Sequence, residues 1–391
     1  MTWYEICKHE MSAIFTNPAI LLTVFGGILL YSFLYPLPYA QQIPRDQKVV
    51  VVNFDGSQLS RRLERMVDAT PQVHLSERAY SIQEAQKLFI KKKMAGIFVI
   101  PEHFHRDILQ GRRPTLLYAG DASYFLVYGT VMEGLTSAGQ TLTAEVKISR
   151  MVMSGQALIL AKKQYNAIGL NLRPVFNSTM GYVNYVIPAV LILILHQTLI
   201  MGVGILGGGQ NELRLQGQRG YWLEANPLKL LLVRTGFFVS IYWVLCMYYF
   251  GFCFSFYNIP HLANFAELNL LILPFLLAST FLGITIGLLV PRRELATVLV
   301  LLSSLPLIFA SGFVWPTSSV PHSITTIIQI IPVIPAIKAF IALNQMGADF
   351  SDILPLYGQL WLCAAFYGFF AWSLLHIQAV VRDSTALHSG R

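Results

Sequence analysis

The sequence predicts a polytopic α-helical membrane protein: six transmembrane helices, re-entrant helices before the last span, and a small α/β extracytoplasmic domain inserted after the first span. Three observations carry this. Of 391 residues, 54% are hydrophobic and only 12% charged, about half the charged share of a soluble domain. Apolar runs recur at 19–35, 181–206, 228–257, 268–290, 295–314 and 354–380, and about 20 apolar residues cross a bilayer core. The stretch 39–177, by contrast, holds 18 of the 28 Lys and Arg and 11 of the 20 Asp and Glu. A charge at a span centre costs about 2.5–3.5 kcal/mol, so that stretch belongs in water. The chain therefore divides into 1–38 (interfacial helix and first span), 39–178 (aqueous domain with long helices returning to the membrane) and 179–391 (spans two to six).

In order, residues 2–17 place Trp3, Ile6, Met11, Ile14 and Phe15 near helical spacing, with Lys8, His9 and Glu10 elsewhere. This suits an amphipathic helix in the interface before Pro18 opens the first span. Two acids precede that span in a segment long for a signal-peptide n-region, so the span is expected to be retained. In the insert, the β-branched run at 48–54 ends at the turn Asp55-Gly56. Ser57 caps a helix through Asp68 with Leu59, Leu63, Met66 and Val67 inward. A strand at 72–75, a helix at 81–92, a buried strand at 95–100 stopped by Pro101, a short helix at 102–109 and a strand at 115–119 follow. Such alternation argues a layered α/β domain. Residues 124–163 lack a strong breaker and read as one or two long helices. Between the last two spans, Pro316, Pro321, Pro332 and Pro335 interrupt an apolar stretch, which predicts two short helices dipping into the membrane from one side.

Seven of the eight net positive charges lie in the insert. With the N-terminus inside, Lys8, Arg214, Arg219, Lys229, Arg234, Arg292, Arg293, Arg382 and Arg391 fall on the cytoplasmic side, and only Lys338 on the opposite short loops. That bias predicts cytoplasmic termini and an extracytoplasmic insert. A basic patch facing that way argues against nucleic acid and for acidic lipid headgroups or an acidic partner. All four cysteines, Cys7, Cys246, Cys253 and Cys363, lie outside the insert, so it is expected to be held by its own core. Cys246 and Cys253 read as small buried hydrophobes rather than a metal or redox pair.

Candidate chemistry is sparse. His103-Phe104-His105 lacks a completing cluster and reads as a solvated face rather than a metal site. The glycine-rich 202–209 follows no strand and reads as helix packing rather than phosphate binding. No G-x-x-x-x-G-K-[ST] motif is present, so ATP, if needed, is hydrolysed on another subunit. Neither a Ser-His-Asp set nor paired acids occurs at membrane depth, and no catalytic residue is assigned. Polar groups there are costly. His196 and Gln197 in the second span, with Gln329 and Lys338 in the broken region, are candidates either for helix–helix hydrogen bonds or for a substrate path.

The residues 310–316 (ASGFVWP), Val320-Pro321, Ile331-Pro332 and 347–353 (GADFSDI) resemble the C-terminal signature of ABC transporter permeases of the ABC-2 type. Residues 49–67 and 96–114 resemble the extracytoplasmic domain of the branch often paired with periplasmic adaptors. In place of that family's E-R-E-x-G-T stretch after the second span, this chain has 210–217 (QNELRLQG). The resemblance implies a bacterial inner-membrane dimer of permeases, with a second copy or a homologous chain, bound to P-loop ATPase subunits that hold ATP and Mg. This chain itself needs no cofactor. An adaptor and membrane lipids are further partners. Glu212, Arg214, Arg219, Trp222 and Glu224 are the expected ATPase-coupling contacts, assisted by Arg292, Arg293 and Glu294. The expected function is the permease subunit of an ATP-driven exporter of an amphipathic small molecule or lipid. The alternative is a non-transporting receptor whose insert binds an outside ligand.

Overall fold

The computed structural model describes residues 1–39, 44–165, 175–177 and 181–389, with side chains to 380. The expected junctions of the insert near 40 and 178, and the cations Arg382 and Arg391, lie outside the described backbone or side chains. The chain forms two compact units: Met1–Ala40 with Pro174–Arg391, and Gln41–Arg173.

In the membrane unit, α1 (Trp3–Phe15) precedes, among the described residues, six helices long and apolar enough to span a bilayer: Pro18–Tyr39, Tyr182–Leu215, Pro227–Phe256, Phe265–Leu289, Arg293–Ala310 and Leu354–Val380. The second is the most deeply buried, and its glycines explain how. A Cβ on Gly207 would sit 2.9 Å from the backbone of Gly287 in the fourth span. One on Gly204 would sit 2.8 Å from Ala296 in the fifth, and one on Gly202 2.7 Å from Val24 in the first. Absent side chains let three neighbours approach one helix, the usual packing device in lipid. The fifth span stops at Ala310, four residues before the apolar run does, because the chain turns through Gly312 at φ 92°. Before the sixth span, His322–Ile328 and Val333–Gln345 meet at 93°, as two short helices around the break at Pro332.

The inserted unit is a four-stranded mixed sheet with helices on its faces: β1 (Gln47–Asn53), β2 (Val73–Ala79), β3 (Gly96–Ile100) and β4 (Leu117–Gly120) in the order β2-β1-β3-β4. β1 pairs parallel with β2 and β3, and β4 pairs antiparallel with β3. Val49–Val52 are at most 2% exposed, because a central parallel strand is covered on both faces. Val49 and Val51 pack with Leu63 and Val67 of α2 (Gln58–Asp68), while Val50 and Val52 pack with Ala85 of α3 (Ile82–Lys92). α4 (Phe104–Leu109), α5 (Phe125–Met153) and α6 (Leu158–Gln164) complete the unit. β2 extends to Ala79, past the expected end at 75. It is an edge strand, and its polar Glu77 and Arg78 are paired with Lys92 and Glu64.

Candidate functional site

The functional geometry lies at the end of the membrane unit that carries α1. Thr2 and Glu5 form a reciprocal cap, Glu5 Oε2 accepting from Thr2 N at 2.7 Å and Thr2 Oγ1 from Glu5 N at 3.3 Å, which starts the helix and fixes its phase. The buried stripe is Ile6, Glu10 and Ile14, at four-residue spacing. Trp3, Met11 and Phe15, expected on the apolar face, are 50%, 48% and 45% exposed. Glu10, expected on the polar side, is instead fully buried. A buried carboxylate needs a cation and hydrogen bonds. Arg234, two turns into the third span and 2% exposed, supplies them. Its Nη2 donates to Glu10 Oε1 at 2.6 Å and its Nε to Oε2 at 3.1 Å, the two-pronged geometry that suits a guanidinium.

Two further residues close a ring. Arg234 Nη2 also donates to Gln210 Oε1 at 2.8 Å, Gln210 Nε2 donates to Tyr221 Oη at 3.1 Å, and Tyr221 Oη donates to Glu10 Oε1 at 2.9 Å. Tyr221 belongs to α7 (Tyr221–Glu224), the short helix in the loop between the second and third spans. Burial, with Glu10 adjacent, pushes its hydroxyl pKa well up, so it remains a donor at neutral pH. The His9 ring stacks on Tyr221 with centroids 5.1 Å apart. The N-terminal helix, the second span, the loop helix and the third span thus meet in one buried polar network.

The next residue joins a second loop. Asn211 Nδ2 lies 2.9–3.0 Å from the carbonyls of Gly287, Leu288 and Val290, which the end of the fourth span leaves without intrahelical donors. Glu212 follows, 3.8 Å from Arg293, which also contacts Glu294 at 3.2 Å. Three consecutive residues, Gln210-Asn211-Glu212, therefore bind both loops at this end. A cleft of about 350 Å³, lined among others by Ala13, Gln210, Glu212, Trp222 and Arg293, opens between them.

The family model for ABC-2 family transporter proteins matches residues 18–373. The chain belongs to the ABC-2 transporter family. The linearmycin resistance permease protein LnrN of Bacillus subtilis (strain 168) is 30% identical over 115 residues. That match spans 29% of each chain, well under two thirds of the relative's length. This ABC-2 chain is thus a multi-pass membrane protein of a transporter family.

Of the residues expected from sequence on this ABC-2 subunit's coupling face, Glu212, Trp222 and Arg293 line the cleft, while Arg214, Arg219, Glu224, Arg292 and Glu294 are exposed. The sequence assigns no site role to Glu10, Arg234, Gln210 or Tyr221. The available signal was Arg234 itself, a cation inside an apolar run that has to find a carboxylate. Among the described residues no hydrogen bond joins the four candidate path residues. His196 is 2% exposed and stacks on Phe275 of the fourth span at 6.3 Å, with neither ring nitrogen hydrogen-bonded among the described residues. Its neighbour Gln197 donates to Ser304 of the fifth span at 2.8 Å. Gln329 is exposed, and Lys338 is half-buried on a different helix. No group of three or more His, Cys, Asp or Glu able to hold a metal occurs among the described residues.

Proposed function

We propose that this chain is the permease subunit of an ATP-driven exporter in a bacterial inner membrane, working as a dimer with separate P-loop ATPase subunits that bind ATP and Mg. The observation that carries the reading is the Gln210-Asn211-Glu212 junction. A push on either loop at this end reaches the second span and, through the Glu10–Arg234 ring, α1 and the third span. A conformational change needs differential contacts in its two states, and Glu212, Arg214, Arg219 and Trp222 offer such contacts to an ATPase. The cationic bias of the short loops supports placing this end in the cytoplasm and the insert outside. The name of the partial relative, a resistance permease, supports outward transport of a toxic or amphipathic compound. Leu301, Leu302, Leu305 and Phe309 of the fifth span are exposed, an apolar stripe suited to lipid or a second permease copy.

The test is purification from the native host with identification of a co-purifying P-loop ATPase, then Glu212→Ala with Arg214→Ala. Because the 3.8 Å Glu212–Arg293 contact is partly exposed, its loss costs under about 1 kcal/mol. The double variant is expected to stay folded while ATPase co-purification or substrate-stimulated hydrolysis falls at least tenfold. Full-rate transport by the permease alone, in vesicles without nucleotide, refutes the reading.

A further inference from the structure

The inserted unit contains a cleft of about 530 Å³, inside the range of about 300–1,000 Å³ usual for small-molecule sites. Its floor is apolar: Leu63, Phe104 and Leu142 are 0%, 3% and 4% exposed, with Ile108, Leu116 and Val146 beside them. Its rim is cationic. Arg112 and Arg113 come from the turn after α4, and Lys147 and Arg150 from the outer face of α5. No Asp or Glu lines it. Asp107 of α4 is 3.6 Å from Arg112, and Glu145 is taken by Arg62 at 2.8 Å. Among the described residues Arg113, Lys147 and Arg150 have no carboxylate within ion-pair distance.

The turn and the helix are fitted to each other. Gly111 sits at φ 80°, where L side chains are strained, and a Cβ there would come to 4.0 Å from Arg150 Nη1. The guanidinium of α5 thus lies over the turn that carries Arg112 and Arg113. Along α5, Leu142, Val146 and Arg150 recur every four residues, so one helical stripe runs from buried and apolar to cationic. Several like charges at one rim repel each other and attract an anion, while the floor rewards burial of hydrocarbon at about 25 cal/mol per Å². A nucleotide finds no stacking face, since the lining aromatic, Phe104, is 3% exposed.

We propose that this cleft binds a single-chain amphiphile with an anionic head group, its chain along the part-exposed Ile108, Leu116 and Val146 beside the floor and its head on Arg113, Lys147 and Arg150. The proposal does not depend on the transport reading, because binding is measured without an ATPase.

The experiment uses the full chain in nanodiscs of zwitterionic lipid and a dodecanoic acid carrying a diazirine at the chain end. After photolysis, mass spectrometry is expected to place adducts in residues 104–116 and 139–150. Excess dodecanoate abolishes them, whereas dodecyltrimethylammonium and inorganic phosphate do not. Reversing Arg113, Lys147 and Arg150 to Glu lowers labelling at least tenfold, and the milder Arg113→Gln with Lys147→Gln lowers it several-fold with an unchanged melting curve. Reversing Lys87 and Lys91 on α3 leaves labelling unchanged. The proposal is overturned by labelling indifferent to the rim charges, by equal loss in the α3 control, or by adducts confined to the membrane unit. Competition by inorganic phosphate as strong as by dodecanoate overturns it as well, by reducing the cleft to a plain anion site.

Discussion

Replacing Arg234 with Ala removes three hydrogen bonds at once, two to Glu10 and one to Gln210. Glu10 is fully buried and Tyr221 is the donor it retains. Stripping one partner from a buried ion pair costs about 3–5 kcal/mol, because the remaining charge is neither solvated nor neutralised. That corresponds to roughly two to three and a half decades in the folded-to-unfolded ratio. The double variant Glu10→Gln/Arg234→Met removes both charges and keeps much of the volume, and such replacements are often neutral. It is therefore expected to be more stable than Arg234→Ala, with a coupling energy of at least about 1 kcal/mol in the cycle closed by the single variants Glu10→Gln and Arg234→Met. The assay is equilibrium unfolding in mixed micelles, followed by near-ultraviolet circular dichroism. Function separates from stability in the same pair of proteins. If the ring transmits motion from the loop helix, the double variant folds but couples poorly to the ATPase subunit proposed above. An Arg234→Ala protein as stable as wild type, or a double variant no better than the single, refutes the claim that a buried charge pair holds this end together.

Gly207→Ala brings a Cβ to 2.9 Å from the Gly287 backbone, where no rotamer can yield; the expected loss is about 1–3 kcal/mol, read from thermal melting in detergent. Asn211→Ala leaves the carbonyls of Gly287, Leu288 and Val290 without their shared donor; the expected cost is about 1–3 kcal/mol, with faster amide exchange at 288–290. Val51→Ala in the central strand, where Val51 is 2% exposed, is expected to lose about 1.5–3 kcal/mol, seen as earlier proteolytic cleavage within 44–165 while the membrane unit stays intact.

Much of the coarse architecture is legible in the sequence because it depends on properties that add up locally. A span is a sum of transfer energies over about 20 neighbours, so five of the helices coincide with their apolar runs to within four residues, whereas the second continues nine residues past its run, to Leu215, carrying Glu212 and Arg214 on helix rather than loop. The β-branched run Lys48-Val49-Val50-Val51-Val52 marks a strand for the same reason, while its cover on both faces shows only once the sheet is assembled. The glycines at 202–208 likewise mark close packing, though not which spans approach. Helix phase is less accessible: α1 buries Glu10 and exposes Met11, a rotation of one position that the apolar pattern alone misjudges.

What only the tertiary structure decided is which distant groups meet. Glu10 and Arg234 are 224 positions apart, and each looks like an interfacial charge until the bundle closes around both. The order β2-β1-β3-β4 and the rim shared by a turn and a long helix are equally invisible in one dimension. Hydropathy assigns each residue to lipid, core or water by its own chemistry, whereas the partner of a buried charge is set by the three-dimensional path of every element between them.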